Sequence, residues 1–490
     1  MELPRTISET REGLVKKTFS CLELAKAYLN KIKKENKNLN DFLNLTEKLA
    51  LEQAKKVDDK IFSRSKIRPL EGIPIAIKDN ILVQDYPATA GSKILENYIA
   101  PYDATVIKKL RQAGTIILGK TNLDEFAMGS STENSAYGVV KNPLDTKRVP
   151  GGSSGGSAVA VAANHCLAAL GSDTGGSIRQ PAAFCGIVGF KPSYGMVSRY
   201  GLIAMASSLD QIGPMAKSVN DIQMIFDVIR GKDKMDSTTI ENSKLEIRNS
   251  KQIKNSQATP SLPKFPNPKI GIPREYFAEG IDIDVKEKVE KAINKFIDLG
   301  YELKYISLPH TDYALAVYYI LMPAEVSANL ARYDGIRYGY SKIKNSKSKI
   351  KSLLENYLET RAEGFGDEPR RRIMLGTYAL SAGYRDAYYN KAQKVRALVK
   401  QDFENAFKEV DFILTPTTPT PAFKIGEKKD PLSMYLSDIY TVTANLAGLP
   451  AISVPCGEVG GLPVGLQIIG PQFKDNLVLE TAQTYEQFSQ

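Results

Sequence analysis

Two glycine–serine runs each precede a short apolar stretch that reads as a helix: PGGSSGGSAVAVAAN from Pro150, and GSDTGGSIRQPA from Gly171 to Ala182. At a helix start, unpaired N–H groups and the positive end of the dipole favour negative charge. In the second run Ser177 follows Gly175 and Gly176. The amides of Thr174, Gly175 and Gly176 could therefore converge beside a hydroxyl. That is the layout of a serine nucleophile with an oxyanion hole, whose donors contribute ~3–4 kcal/mol each to a transition state. Taken alone, such a run is more often a flexible loop.

A nucleophilic serine needs a base, and this chain has two histidines in 490 residues. His165 lies in an apolar small-residue run, which suits packing better than catalysis. His310, in SLPHTDY, reads as a loop residue, and no HExxH pair exists. A neutral lysine can replace histidine if burial lowers its pKa. Lys78 closes the apolar run IPIAIK and is the candidate, although most lysines at strand ends point into water. Asp173 and Arg179 flank Ser177 and could brace its loop as a pair. The four cysteines form no CxxC pair, which argues against a zinc ribbon or a disulfide framework. Cys166 and Cys185 read as core residues.

The elements that position these residues alternate. The first 60 residues read as helical; SCLELAKAYLNKIKKE carries a capping box at Ser20 and Glu23 and a buried face of Cys21, Leu24, Ala25, Tyr28 and Ile32. A strand at Ile73–Ile77, a helix stopping at Gly114 and a strand TIILGK follow. Next come a helix at Gly155–Ala163, a strand near Leu167–Gly171 and a helix from Ser177. GTIILGKT, Gly114 to Thr121, matches the phosphate-loop pattern GxxxxGK[ST]. Its middle residues are β-branched and apolar, so they are the strand rather than a loop; Lys120 is expected to begin the next connection. Residues 231–268 are polar, rich in Asn, Ser and Lys, and read as a linker or loop. Beyond it, KIGIPREYF and YELKYISLP read as strands. Between them lies a helix burying Val285, Val289, Ala292, Ile293 and Phe296, with Gly300 at its stop. The rhythm is the same on both sides of the linker. One interrupted α/β domain over residues 1–490 is therefore expected, with a mostly parallel or mixed twisted sheet covered by helices on both faces.

Apolar content of 42% and charged content of 24% are ordinary for a globular enzyme. The longest apolar stretch, Ala158 to Leu170, is short for a membrane span, and the N-terminus lacks the apolar core of a secretory signal. A cytoplasmic protein with no membrane role is expected. The net charge of +10 is assigned to scattered lysines, because no basic run interleaved with aromatics stands out, although a role near RNA stays open.

GIPIAIKDN, GGSSGGS and GSDTGGSIRQPA, in this order and spacing, resemble the amidase signature family. The resemblance implies a catalytic set of Lys78, Ser153 in a cis peptide, and Ser177, with Ser153 relaying a proton between the other two. SANLARYDGIRYGY, RRRIMLGTYALSAGY, ILTPTTPTPAF, ANLAGLPAISVPCG and GLPVGLQIIG extend the likeness to the C-terminus. They resemble the branch of the family that serves as glutaminase in tRNA-dependent amidotransferases. That likeness implies glutamine as substrate, ammonia as product, and a heterotrimer with subunits B and C. ATP and Mg2+ would belong to the partner's reaction and no cofactor to this chain, with tRNA met mainly through the partner. It further implies Arg372 on the substrate carboxylate, Asp438 on its ammonium and Tyr318 lining the pocket. Arg371 and Tyr319 are adjacent alternatives. MGSSTENSAYG, from Met128, would form the pocket rim. A stand-alone amidase acting on another amide, and a scaffold without activity, are the competing readings.

Overall fold

The computed structural model describes residues 2–63, 67–240, 268–278, 280–345 and 352–489. Among them eleven strands form one sheet: β1 (Phe42–Leu45), β2 (Pro74–Lys78), β3 (Ile116–Thr121), β4 (Ala168–Asp173), β5 (Val188–Lys191), β6 (Gln211–Ala216), β7 (Lys269–Pro273), β8 (Glu302–Ile306), β9 (Phe412–Pro416), β10 (Ala451–Val459) and β11 (Leu462–Ile469). Their spatial order is β1-β3-β2-β4-β6-β5-β10-β11-β9-β7-β8. The sheet is mixed. Parallel pairs β2/β3, β2/β4, β7/β8 and β7/β9 lie towards its two ends, and antiparallel pairs fill the middle. Two of the parallel pairs are strand–helix–strand units, through the helices Thr105–Ala113 and Ile283–Asp298.

Successive strand residues point to opposite faces. Phe412, Leu414, Ile452 and Ile468 join one large core, and Ile413, Ala451 and Ile469 join the other. Helices therefore cover both faces of one sheet, and the chain is a single large α/β unit. The expected face of the Ile283–Asp298 helix is buried, and the Ser20–Glu23 capping box is formed.

Several local expectations shift. The first 60 residues are not wholly helical, because Phe42–Leu45 pairs antiparallel with the edge of β3. Four residues are too few to display a period, and the pairing partner lies about 75 residues away in sequence. GTIILGKT is indeed a strand. Lys120, however, lies inside it, fully buried, with its ammonium 2.8 Å from the Asp79 carboxylate. Of the polar stretch, residues 231–240 are pinned: Asp233 accepts from the Ser198 hydroxyl (2.6 Å) and the Thr105 hydroxyl (2.5 Å). Residues 241–267 lie outside the described residues. Among the described residues one helical stretch, Thr311–Arg332, is long and apolar enough to cross a membrane, but half of its most apolar window is buried within the fold.

Candidate active site

β2 and β4 are parallel neighbours, with Ile77 opposite Leu170, so their C-terminal ends meet. That is where open α/β sheets place their chemistry. Lys78 ends β2, and Ser172 and Asp173 end β4. The Lys78 amine lies 2.8 Å from Ser153 Oγ, 2.8 Å from Ser154 Oγ and 3.0 Å from Ser172 Oγ. Lys78, Ser153 and Ser154 are all fully buried. Burial pushes the amine down from its ordinary 10.5 to about 7, against the pull of Asp124, Asp173 and Asp210.

The first glycine–serine run is tied to its surroundings by hydrogen bonds. The Gly152 N–H donates to Gln180 Oε1 (2.9 Å), the Ser153 carbonyl accepts from the Asp124 N–H (3.3 Å), and the Gly152–Ser153 peptide is cis. Only glycine fits at 152, because a Cβ there would stand 2.1 Å from an Asp124 carboxylate oxygen. The Ser154 N–H donates to the Ser177 carbonyl (3.1 Å), and this bond joins the two runs. Ser177 keeps 9% of its surface accessible, the most in this array.

The loop before Ser177 is organised by Asp173 and Arg179, both fully buried and bidentate: Arg179 Nε to Oδ2 at 3.1 Å and Nη2 to Oδ1 at 3.0 Å. Burial opposes the Asp173 charge, but Arg179 outweighs it and holds the carboxyl down to about 2. Arg179 also donates to Gln467 Oε1 (2.6 Å) and the Thr441 carbonyl (3.1 Å).

This brace corrects one expectation. The Gly176 N–H is spent on Asp173 Oδ1 at 2.9 Å, so it does not point at a substrate. Among the described residues no acceptor engages the amides of Thr174, Gly175 or Ser177. The helix that follows also starts at Arg179 rather than at Ser177. Thr174 is fixed through its side chain, which donates to Asp210 Oδ1 at 2.7 Å.

Tyr318 stands over this loop. A methyl placed on Gly175 would sit 2.7 Å from its hydroxyl. The next residue, Tyr319, instead stacks on Tyr435 at 3.8 Å, and the Arg372 guanidinium lies 5.3 Å and 5.4 Å from the two ring centres. The adjacent arginines differ in burial. Arg372 is 1% exposed, whereas the Arg371 side chain is 42% exposed. Arg372 Nε donates to Glu368 Oε1 at 2.8 Å, and Arg372 Nη2 is buried with no partner. Asp438 is nearly buried and accepts from Ser130 Oγ at 2.5 Å. Burial raises its carboxyl to about 7, although the Ser130 bond and the Arg372 charge oppose this. Ser130 belongs to the segment expected at the rim. His165 and His310 stay outside the site, paired with Asp41 and Glu35 and with Asp402 respectively.

Several residues of the site had not been singled out from the sequence. Ser154, Ser172 and Gln180 sit inside motifs already noted, and Glu368 lies four residues before Arg372 on one helix face. Asp124, Asp210, Tyr435, Thr441 and Asn445 arrive from distant segments. Among the described residues no group of three or more His, Cys, Asp or Glu side chains could hold a metal ion.

A model of the family described as Amidase matches residues 23–479. The chain belongs to the amidase family. It is 54% identical over 485 residues to the A subunit of the glutamyl-tRNA(Gln) amidotransferase of Thermoanaerobacter pseudethanolicus, covering 98% of this chain and 96% of that one. It is equally 54% identical, over 484 residues, to the protein of that name from Nostoc sp., covering 98% and 97%. Among solved structures, the A subunit of the Thermotoga maritima glutamyl-tRNA(Gln) amidotransferase matches with a TM-score of 0.78 at 42% identity, covering 100% of this chain and 96% of that one. The native peptide amidase of Stenotrophomonas maltophilia matches at 0.80 and 29% identity, covering 99% and 96%.

Proposed function

We propose that this chain is the glutamine-hydrolysing subunit of a glutamyl-tRNA(Gln) amidotransferase, working in the cytoplasm. The observation that carries the chemistry is the buried Lys78 amine, depressed to about 7 and 2.8 Å from Ser153 Oγ. The neutral amine accepts a proton from Ser153, which takes one from Ser177 as Ser177 Oγ attacks the side-chain carboxamide carbon. The amides of Thr174, Gly175 and Ser177 hold the oxyanion. The proton returns through Ser153 to the amide nitrogen, the C–N bond breaks, and ammonia leaves. Water, deprotonated along the same path, then cleaves the acyl-Ser177 ester and releases glutamate.

Glutamine brings an α-carboxylate and an α-ammonium, which need buried counter-charges. Arg372 takes the first with its planar fork and Asp438 the second, while Tyr318 walls the pocket beside Gly175. The orphan Nη2 of Arg372 supports this reading. The ammonia serves partner subunits B and C in a heterotrimer. The partner binds tRNA and, with ATP and Mg2+, amidates the misacylated glutamyl end; this chain itself needs no cofactor.

A stand-alone amidase acting on an apolar amide is disfavoured, because it would leave Arg372 Nη2 without an acceptor. A substrate panel tests this with the assembled complex. Glutamine is expected to release ammonia far faster than aryl or fatty amides, and the reverse ranking would overturn the reading.

A further inference from the structure

Three hydroxyls surround the Lys78 amine, and the direction of each O–H decides what the amine can do. Ser154 is settled. Its hydroxyl donates to the Ser172 carbonyl (3.1 Å) and accepts from the Ser172 N–H (3.3 Å), so towards Lys78 it can only accept. Ser153 must donate if Lys78 is to take its proton. Ser172 depends on Asn80, two residues beyond Lys78. Asn80 Nδ2 donates to Ser172 Oγ at 3.0 Å, and Asn80 Oδ1 is buried with no partner. Among the described residues the other hydrogen-bond partner of Ser172 Oγ is Lys78 Nζ, at 3.0 Å. With Asn80 donating, the Ser172 proton therefore falls on the lysine lone pair.

A neutral amine suits that arrangement: it donates to Ser153 and Ser154 and accepts from Ser172. An ammonium does not, because it has three N–H groups and no lone pair, and the Ser172 proton would face a positive charge. The Ser172 carbonyl is no substitute, since it lies 3.4 Å from Nζ and already accepts from Ser154. The ammonium is matched when Ser172 accepts, and Ser172 accepts when its own proton goes elsewhere. The unpartnered Oδ1 is that place. The Asn80 backbone is fixed, its carbonyl accepting from the Ile203 N–H (2.8 Å). Its terminal torsion is broad and two-fold, so a half-turn puts Oδ1 where Nδ2 was.

We propose that Asn80 is a positioning residue for the base: its carboxamide turns over as Lys78 takes the proton of Ser153, so that Oδ1 receives the Ser172 hydroxyl and Ser172 Oγ receives the third N–H of the ammonium. The proton leaves Ser153 Oγ for Nζ, Ser153 is refilled from Ser177 Oγ, and the path runs backwards when ammonia departs. The charges facing Lys78, those of Asp124, Asp173 and Asp210, pull the same way in both orientations. Asp79, the neighbour of Lys78 and Asn80 in sequence, is paired with Lys120. The amide is thus the part of the surroundings that changes with the proton. The proposal rests on the role given to Lys78 above.

The test is the pH profile of kcat for ammonia release from glutamine by the assembled complex. Wild type, Asn80→Ala, Asn80→Asp, Ser172→Ala and the double variant Asn80→Ala/Ser172→Ala are compared, with circular dichroism melting to check that each folds. Asn80→Ala leaves the Ser172 proton on the amine and disfavours the ammonium. It is expected to move the midpoint of the acid limb down by about one pH unit and to lower the plateau about tenfold, with KM within about twofold of wild type. Asn80→Asp keeps an acceptor and adds a negative charge. Its plateau is expected within about threefold of wild type, with the midpoint moved up. Added to Ser172→Ala, Asn80→Ala should cost nothing more, because it acts through that hydroxyl. A wild-type midpoint in Asn80→Ala, or a full Asn80→Ala effect on top of Ser172→Ala, overturns the positioning role and leaves Lys78 as the base. A wild-type profile flat on the acid side overturns both. Should Asn80→Ala fail to fold, Asn80→Asp decides: a collapsed plateau there means that the amide serves only as a donor, against the proposal.

Discussion

The surroundings of Lys78 and of Arg372 treat the cation at their centre in different ways. Lys78 Nζ meets three hydroxyls, and the Asp173 carboxylate is shared by Arg179, Asn445 and two backbone amides. Near Arg372, groups are left over: its Nη2 and the Tyr319 hydroxyl are buried without partners. A buried, unpaired donor costs about 1–3 kcal/mol. The Lys78 amine is thus fully engaged within the fold, whereas Arg372 keeps a donor free; under the proposed function that free donor is the one substrate completes. Change in the first should cost turnover, and change in the second should cost affinity.

The strongest challenge to that division is Arg372→Lys. The charge stays, so Glu368 keeps a counter-ion, but the fork that spans two acceptors is lost. KM for glutamine is expected to rise about 100-fold with kcat within a few-fold of wild type. A collapse of kcat at unchanged KM would place Arg372 in the chemistry instead.

pH sharpens the comparison, since each half has a group near 7. As pH falls below about 7, Lys78 gains a proton and can no longer act as base, so kcat falls, approaching tenfold per unit. Asp438, raised to about 7, also gains a proton and loses its hold on the α-ammonium. kcat/KM should therefore fall with a slope approaching two, and Asp438→Asn should return that slope to one at a lower plateau. A kcat flat from pH 7 to 5 in folded protein would remove Lys78 as the base.

The smallest effect lies outside both halves. His165 is fully buried between Asp41 (2.7 Å) and Glu35 (3.0 Å). Burial lowers its pKa, but the two carboxylates outweigh that and raise it above the ordinary 6.5. Its stabilisation is present in full below the unfolded value and is lost as pH rises through the folded one. Melting temperature should drop by a few degrees across that window, and His165→Gln should flatten the drop, with glutaminase kinetics unchanged. An equal pH dependence in the variant would show that the histidine is not charged in the fold.

Lys78 and Ser177 were legible as candidates because they lie in short motifs and the two histidines sit in poor contexts; Ser153 followed from the family resemblance alone, and Ser154 and Ser172 were not singled out. The strand–helix rhythm gave β2, β3, β4, β7 and β8 to within a few residues and left β5, β6, β9, β10 and β11 unassigned. Burial separates Arg372 from Arg371, and it is a property of the packed helix rather than of RRR. β1 was missed because four residues show no period and pairing with β3 makes the strand. The Gly176 amide was misjudged because convergence of N–H groups was read from residue order. The carboxylate that captures it lies three residues earlier and is aimed by Arg179. Asp438 and Ser130 are 308 residues apart, a distance no local pattern spans.

The central claim is that Ser177 is the nucleophile, and ammonia release from glutamine tests it most directly. Wild type and Ser177→Ala would be compared within the intact assembly, with glutamine binding measured in parallel. A nucleophilic Ser177 predicts a fall in release on the order of 10^4-fold or more, with glutamine still bound. Release at the wild-type rate by Ser177→Ala would mean that the bond is broken elsewhere and that GSDTGGSIRQPA only shapes the fold.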